Sequence, residues 1–252
     1  MARLGVVLAL LPLLLAVCEA AKGQLPAYIN QCSRQDPHLT DCYIDAIMHI
    51  RPWLAKGIPE ISLPSTEPFR LPELSLSLTT GPGGYRIKLR DIDVTGVSDY
   101  SVRGLSVGSG TFSLDVAIPE LSLVADYSSS GVLIMIPASG RGTLHGALAG
   151  VQAQLRGVAS SQAGGVSGSD SHYLRVDRLH VDLKVQDVSM RIERAPGENP
   201  IIAQATNLLL RTSSHLVLDA MMPELRLKLA DVFLGIANNI FGKVPVELLV
   251  RD

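Results

Sequence analysis

The sequence predicts an α+β fold in which a highly curved antiparallel β-sheet wraps a long C-terminal helix, with a shorter helix near the N-terminus. Three observations predict it. Apolar and polar residues alternate along several central segments, no helical pattern separates these segments, and the segment after Pro223 is apolar over most of its helical surface. Strands that follow one another without intervening helices pair antiparallel. A helix that is apolar on most sides must be covered on most sides.

The first residues have the pattern of a secretory signal peptide. Arg3 supplies the positive charge, an apolar stretch runs from Val6 to Val17, and Cys18-Glu19-Ala20 ends in small residues suited to signal peptidase. The alternative, a retained anchor helix, needs about 20 apolar residues. We therefore expect residues 1–20 to be removed, and residues 21–252 to form one secreted, extracellular domain.

Charge and cysteine content bear on function. The chain has 22 Lys+Arg against 24 Asp+Glu and no basic tract, so electrostatic attraction to nucleic acid is not expected. Once Cys18 leaves with the signal peptide, Cys32 and Cys42 remain, and in an oxidising compartment they are expected to form a disulfide. The short loop that it closes would stabilise the fold by about 3 kcal/mol on the chain-entropy model. A metal site or a catalytic thiol is the alternative, but neither cysteine has nearby partners for it.

The N-terminal helix is predicted from apolar residues at three- to four-residue spacing between Asp36-Pro37 and Gly57, with Pro52 kinking or dividing it. The middle of the chain alternates with a period of two, which is typical of half-buried strands. Four such strands are predicted around Tyr85–Arg90, Phe112–Ile118, Val151–Leu155 and Leu179–Val185. The glycine-rich stretches Gly81–Gly84 and Ala163–Ser171 are interpreted as turns.

The dipeptide Pro-Glu recurs in a similar apolar setting four times, at Pro59, Pro72, Pro119 and Pro223. Across the third copy, the apolar residues Ile118 and Leu121 are three apart instead of two. A β-bulge would absorb the extra residue, and bulges and edges are where sheets tolerate proline. The alternative is that each Pro-Glu ends one strand and starts another. Slips at Leu89–Ile92 and Val185–Val188 lack proline, and repeated slips are typical of strongly bent sheets.

The fourth Pro-Glu copy introduces the predicted C-terminal helix, with Pro223 early in it and Glu224 near its positive end. When residues are placed at 100° intervals, the apolar arc covers roughly 220°. An ordinary surface helix has a stripe nearer 100°. A sheet curved around this helix would cover it.

These features resemble the takeout and juvenile-hormone-binding proteins of insects, which are secreted carriers of small hydrophobic molecules. The resemblance covers about Ala27 to Arg251 and depends on the order and spacing of several motifs. These are Cys32 and Cys42, the helix leading into Gly57-Ile58-Pro59-Glu60, the segment Pro64-Ser65-Thr66-Glu67-Pro68, the Gly-Tyr pattern around Gly131, and the terminal Ile240-Phe241-Gly242-Lys243-Val244-Pro245. It implies an elongated apolar cavity between the helix and the sheet. The juvenile-hormone-binding branch has a second disulfide for which this chain lacks cysteines, so the chain looks more like the takeout branch.

An enzyme would need a set of catalytic residues, and only one motif in the sequence suggests such a set. Gly104-Leu105-Ser106-Val107-Gly108 matches the GxSxG pattern of a nucleophile elbow, but an alternating strand follows Ser106 instead of the helix that an elbow requires. We interpret it as a Gly/Ser turn and keep hydrolysis of a hormone ester by Ser106 as the enzyme alternative. The six histidines contain no metal-binding spacing, although His180 and Asp182 share a strand face, and no metal or other cofactor is predicted.

The predicted function is binding without catalysis: a secreted haemolymph carrier of a terpenoid, such as juvenile hormone, or of a fatty-acid-like lipid. Apolar residues on faces directed inward are candidates for lining the ligand, although for each of them ordinary core packing is favoured over ligand contact. They are Trp53, Phe69, Phe112, Tyr127, Leu229, Val232, Phe233, Ile236 and Ile240. A monomer is expected, a receptor is left open, and action at a lipid or membrane surface is the alternative function.

Overall fold

The computed structural model describes residues 26–61, 63–77, 84–133, 136–163 and 171–251. The predicted signal peptide and most of the two predicted glycine-rich turns lie outside them. The strands are β1 (Cys32–Ser33), β2 (Phe69–Ser77), β3 (Arg86–Thr95), β4 (Ser101–Val107), β5 (Thr111–Ser130), β6 (Val132–Leu133), β7 (Ile136–Pro137), β8 (Gly140–Ala163), β9 (His172–Lys184), β10 (Asp187–Arg194) and β11 (Val250–Arg251). The helices are α1 (Leu39–His49), α2 (Arg51–Lys56), α3 (Pro200–Thr212), α4 (Ser214–Phe241) and α5 (Val246–Leu249).

Two long central strands organise the main sheet. Strands β5 and β8 pair antiparallel over nearly their whole length. On one side, β5 pairs first with β4 and then with β3, and β3 pairs with β2. On the other side, β8 pairs first with β10 and then with β9. All these pairings are antiparallel, so the predicted sheet, and the α+β class with its long C-terminal helix, are confirmed.

The third Pro-Glu copy marks a bend that both central strands share. Pro119 lies opposite Gly150, and the register is the same on either side of them, from Ile118↔Val151 to Glu120↔Ala149. Neither strand therefore bulges against the other, and β5 does not end there. Gly150 has a φ of 61°, in the left-handed region where glycine is favoured. At this point β5 changes its partner from β4 to β3, so the bend lies where two half-length strands meet.

The other two Pro-Glu copies before α4 and the two slips without proline have four different outcomes. The slip at Leu89–Ile92 is a bulge, because the register between β3 and β5 shifts between Arg90 and Asp93. Pro72 lies inside β2 without a shift, whereas Pro59 begins a 3₁₀ turn, Pro59–Ile61. The slip at Val185–Val188 was wrongly interpreted as part of one bent strand, since β9 ends at Lys184 and β10 begins at Asp187.

Contacts fix the N-terminal segment to the rest of the fold both before α1 and after α2. The predicted disulfide is formed between Cys32 and Cys42, and Cys32 pairs with Val250 in a short parallel sheet of β1 and β11. Pro52 divides the predicted helix into α1 and α2, because it lies in the first turn of α2, where a missing N–H costs nothing. After α2, the hydroxyls of Ser65 and Thr66 donate to the carbonyls of Ala55 and Leu54 at 2.6 and 3.0 Å.

Helix α4 begins nine residues earlier than the sequence predicted. It runs for 28 residues, about 42 Å, and Pro223 lies inside it instead of at its start. The apolar periodicity after Pro223 predicted the helix, but the polar and mixed residues from Ser214 onward gave no comparable signal. None of the helices in the described part of the chain is long and apolar enough to cross a membrane.

Helix α4 closes the open side of the curved sheet, because it contacts strands near both edges of the sheet. Its main backbone neighbours are β9, β10 and β2. On the β9 side, the Asn238 amide pairs with both backbone groups of Val176 at 2.8 and 3.0 Å, and Arg226 donates to the Leu183 carbonyl at 2.8 Å. On the β2 side, the Ser77 N–H donates to the Glu224 carboxylate. Residues 224–238 therefore bridge the open side of the sheet.

Candidate ligand-binding interior

The interior is packed to different densities along α4. Around the first two turns of α4, a cluster of buried side chains fills the space between α3, α4 and the sheet, and we call it the packed end. Its members are Leu74, Leu76, Tyr85, Ile87, Leu89, Ile92, Ala125, Tyr127, Leu133, Ala138, Leu144, Leu210 and Val217. It consists almost entirely of apolar side chains, which is the composition of an ordinary protein core.

The packed end encloses a small apolar cavity of about 50 Å³. Ile87, Leu144, Met190, Ile192 and Met221 are among its lining residues. Binding sites for drug-sized ligands occupy roughly 300–1,000 Å³, so this cavity alone cannot hold a terpenoid. The flexible thioether side chains of Met190 and Met221 can change rotamer at low cost and are suited to adapt the cavity to a guest.

Two tyrosines and an ion pair form the polar part of this cavity. Burial raises the pKa of Tyr85, although a hydrogen bond with Ser129 acts to lower it. Burial also raises the pKa of Tyr127, and the nearby Tyr85 and Glu198 raise it further. Both phenols therefore remain neutral at physiological pH and keep their hydroxyl protons. At the rim, Arg141 Nε lies 3.0 Å from Glu198, and Arg194 donates to the Glu198 carbonyl at 3.1 Å.

Further along α4 the interior is apolar but not fully buried, and we call this region the loose half. Its side chains on α4 and on the facing strands are all only half-buried: Leu105, Phe112, Leu114, Val116, Leu155, Leu229, Val232, Phe233 and Ile236. The fully buried residues of α4 are Val217, Leu218 and Met222, all in its first three turns. Because Arg226 and Asn238 fix residues 226–238 alongside β9, this stretch faces the half of the sheet that contains β4 and the start of β5. It spans roughly 20 Å.

The predicted lining residues fall into three places. Tyr127 lies in the packed end and lines its cavity. Leu229, Val232, Phe233, Ile236 and Phe112 lie in the loose half. Phe233 also contacts Phe69 of β2, with ring centroids 6.5 Å apart, so the structure brings these two predicted residues together.

Trp53 and Ile240 lie beyond the loose half, in a separate cluster around Ile58, Ile61 and Val244. The Trp53 indole stacks on Tyr28 with ring centroids 4.7 Å apart and nearly parallel planes. This cluster joins α2, the end of α4 and the following chain. It closes the loose half on the side away from the packed end.

The GxSxG motif lies in a setting that does not suit catalysis. Ser106 belongs to β4 and pairs with Ser113 of β5, so it is not at a strand-to-helix turn. His180 is on β9, with β5 and β8 between it and β4. Three strand spacings amount to about 14 Å, far beyond hydrogen-bond reach between a nucleophile and its base. Among the described residues, no group of three or more His, Cys, Asp or Glu side chains could hold a metal ion.

Sequence reasoning missed most residues of the packed cavity. Helix α3 was not predicted, although Asn199-Pro200 is a helix start signal, and the Asn199 side chain accepts from the Ile201 N–H at 2.9 Å. Ile202, Thr206 and Leu210 of this helix line the cavity. Their three- to four-residue spacing was the signal that could have found them.

Comparison with known proteins agrees with this architecture. A crystal structure of Takeout 1 from Epiphyas postvittana matches with a TM-score of 0.73 and 13% identity, over 88% of this chain and 99% of that chain. A crystal structure of lipopolysaccharide binding protein matches with a TM-score of only 0.33 and 11% identity, over 85% of this chain and 39% of that chain. No curated protein matches the sequence significantly. The profile of the haemolymph juvenile hormone binding protein family matches residues 11–251, and the chain belongs to that family.

Proposed function

We propose that the protein is a secreted carrier of a small hydrophobic ligand, a terpenoid or a fatty-acid-like lipid, and not an enzyme. In this proposal residues 1–20 are removed on secretion, and residues 21–252 act as one binding domain. The observation that carries it is the loose half: an interior lined by aliphatic and aromatic side chains that remain half-exposed. Family membership and the Takeout 1 fold support the same function.

Binding in the loose half requires no chemistry. A ligand placed between α4 and the sheet would remove both its own apolar surface and that of Val232, Phe233 and Ile236 from water. Each Å² of apolar surface removed is worth about 25 cal/mol. A long apolar molecule suits this space because the half-buried stretch of α4 is elongated, and an extended chain would contact it along its length.

The polar end of the ligand has candidate partners at the packed end. The neutral hydroxyl of Tyr127 lies at the cavity wall, where a ligand reaching out of the loose half would meet it, beside Tyr85, whose hydroxyl is already hydrogen-bonded to Ser129. A buried hydroxyl donor favours an ester, epoxide or carboxyl oxygen over a plain hydrocarbon, because an unpaired polar group in an apolar site is costly. Both ligand classes carry such an oxygen.

The test places a larger side chain inside the loose half. Ile236→Trp adds volume between α4 and the sheet, and we expect affinity for oleic acid and farnesol to fall at least about tenfold. Displacement of 1-N-phenylnaphthylamine fluorescence measures the affinity. Leu227→Trp is the matched control, because Leu227 lies on the same helix with its side chain 66% exposed, and it should leave affinity unchanged.

Unchanged affinity in a folded Ile236→Trp variant would overturn the proposed location. Native mass spectrometry of the secreted protein, followed by solvent extraction, gives a second readout. One apolar adduct per chain supports carriage. If no fatty acid or terpenoid binds the folded protein, the carrier proposal fails.

A further inference from the structure

Two rows of side chains on the outward face of the sheet form a groove that the carrier function does not use. The first row crosses four strands, because Ser106 pairs with Ser113, Ser113 with Arg156, and Arg156 with His180. The second row lies two residues further along each strand, where Thr111 pairs with Val158 and Val158 with Arg178. All seven residues line one open groove of about 610 Å³.

The alternation of the strands places this groove outside the ligand-binding interior. The next row from the first polar row toward the sheet bend contains Leu105, Leu114, Leu155 and Val181. Val181 is only 1% exposed. Neighbouring positions on a strand point to opposite faces. The polar row is therefore on the outer surface, where Ser106, Arg156, Arg178 and His180 are all exposed.

The two arginines of the groove make no ion pair with any described residue, although Asp115 and Asp182 are diagonal neighbours of Arg156 on the adjacent strands. Among the described residues, neither Arg156 nor Arg178 makes an ion pair or a side-chain hydrogen bond. The nearest acids on this face, Asp115 and Asp182, lie one row away and do not line the groove, and Asp182 is paired with Arg226 at 2.9 Å. Arg156 and Arg178 are diagonal neighbours on adjacent strands, a separation of about 7–8 Å. An anion placed between them could contact both guanidinium groups.

We propose that this groove binds the phosphate group of an organic phosphate. A guanidinium fork pairs bidentately with two phosphate oxygens, and the three terminal oxygens of a phosphate monoester let two forks from different directions each bind a separate edge. Ser113 and Ser106 lie beside Arg156 in the same row, and Thr111 shares the row of Arg178, so hydroxyl donors flank the charge. Val158, which lies directly between Thr111 and Arg178, gives the organic part of the ligand an apolar contact.

The groove is much larger than a phosphate ion, so the chemistry fits both a soluble phosphate monoester and the headgroup of an anionic lipid. The two sources are distinguished by the probe. Glycerol 3-phosphate, with glycerol as its neutral control, tests the soluble ligand by calorimetric titration. Co-sedimentation with phosphatidylcholine vesicles, with and without phosphatidic acid, tests the headgroup.

The decisive variant is Arg156→Gln/Arg178→Gln in the full secreted chain. Both residues are exposed, so the variant should fold with an unchanged melting temperature, and we expect its affinity for the probe to fall at least about tenfold. Arg211→Gln is the matched control, because Arg211 is also exposed and without an ion pair among the described residues but lies on α3. It should bind as the unmodified protein does.

Each outcome bears on the proposal. If glycerol 3-phosphate binds and the double variant weakens that binding, the site is assigned to soluble phosphates. If only phosphatidic acid vesicles bind and the double variant weakens that binding, the site is assigned to a lipid headgroup. Affinity should weaken as salt rises in either case, because the contact is between exposed charges. The proposal is overturned if the unmodified protein binds neither probe, or if the double variant binds as tightly. Carriage in the loose half is measured separately, so failure of one proposal leaves the other testable.

Discussion

The packed end and the loose half are two parts of one interior, covered by the same helix and the same two central strands, yet they differ in packing. In the packed end, Leu76 is 2% exposed and Ala125 1%. In the loose half, none of the side chains that define it is fully buried. The first region has α3 packed beside α4 against β10, whereas in the second region α3 is absent and α1 packs against β4.

If the ligand binds as proposed, the difference means that stability and binding are separated along α4. A core stabilises a protein when its side chains are removed from water and packed to high density. Side chains that remain half-exposed contribute less to folding, and their remaining apolar surface is available to a ligand. Substitutions in the packed end should therefore lower stability and leave ligand affinity unchanged, whereas substitutions in the loose half should mainly lower ligand affinity.

Matched leucine truncations in the two regions should give the largest effect. Leu76→Ala removes a fully buried side chain, and we expect the free energy of unfolding to fall by about 3–5 kcal/mol with ligand affinity unchanged. Leu229→Ala in the loose half should cost less than about 2 kcal/mol and should weaken ligand binding. Urea unfolding and ligand titration of both variants measure this. Equal losses of stability would show that the two regions pack alike in solution.

Two asparagines, one beside each region, allow the packed end and the loose half to be compared at the edges of the sheet. Asn207 of α3 pairs with both backbone groups of Ile192 at 2.8 and 2.9 Å, as Asn238 of α4 does with Val176. Each amide occupies the hydrogen-bonding position of a further strand and protects an edge. Replacing either with alanine leaves two backbone groups of the edge strand without these partners, and we expect a loss of about 1–3 kcal/mol.

The two variants should differ in ligand release. Asn238 holds α4 against β9 beside the loose half, so Asn238→Ala should speed ligand dissociation, whereas Asn207→Ala at the packed end should not. Stopped-flow dilution of the ligand complex measures the rates. Equal dissociation rates would contradict the assignment of the ligand to the loose half.

The smallest expected effect is electrostatic and lies outside both regions. Burial acts to raise the pKa of Glu67, but hydrogen bonds from the N–H groups of Ser98 and Gly96, at 2.7 and 2.9 Å, outweigh it and hold the pKa below its usual value. A lowered folded-state pKa means that the charged form stabilises the fold above the unfolded pKa of about 4.3, and that this contribution is lost as pH falls further.

Glu67→Gln should therefore lower the free energy of unfolding by about 1 kcal/mol at neutral pH. The difference from the unmodified protein should shrink as pH falls below the unfolded pKa of about 4.3, and it should vanish below the lower folded-state pKa, where both side chains are neutral. Urea unfolding at several pH values measures it. A difference that does not change with pH would mean that the charge of Glu67 has no part in stability.

Local patterns were sufficient for most of the elements. The alternation around Tyr85–Arg90, Phe112–Ile118, Val151–Leu155 and Leu179–Val185 predicted strands β3, β5, β8 and β9, and Pro52 predicted the division of the N-terminal helix. The disulfide followed from two cysteines in a chain with a predicted signal peptide. Such features depend on neighbours within a few residues, so they can be predicted without knowing the tertiary structure.

The candidate site was only partly predictable. Val232, Phe233 and Ile236 were found because helical spacing places them on one face. The residues that fill the packed end come from β3, β8, β10 and α3, which are far apart in the sequence. No periodicity within one segment shows which of these segments meet. The groove of Arg156 and Arg178 depends on the register between β8 and β9, which sequence alone did not supply.

By itself, the sequence determined the class of fold, the antiparallel pairing and the long apolar helix, because side-chain period and chain order control them directly. Only the tertiary structure decided that Pro119 bends two strands together, that α4 starts at Ser214, and that the interior divides into a packed end and a loose half. The physical reason is that packing density depends on which faces meet across the chain. The apolar stripe on α4 is fully buried where α3 packs beside it and half-exposed where it faces the curved sheet without α3.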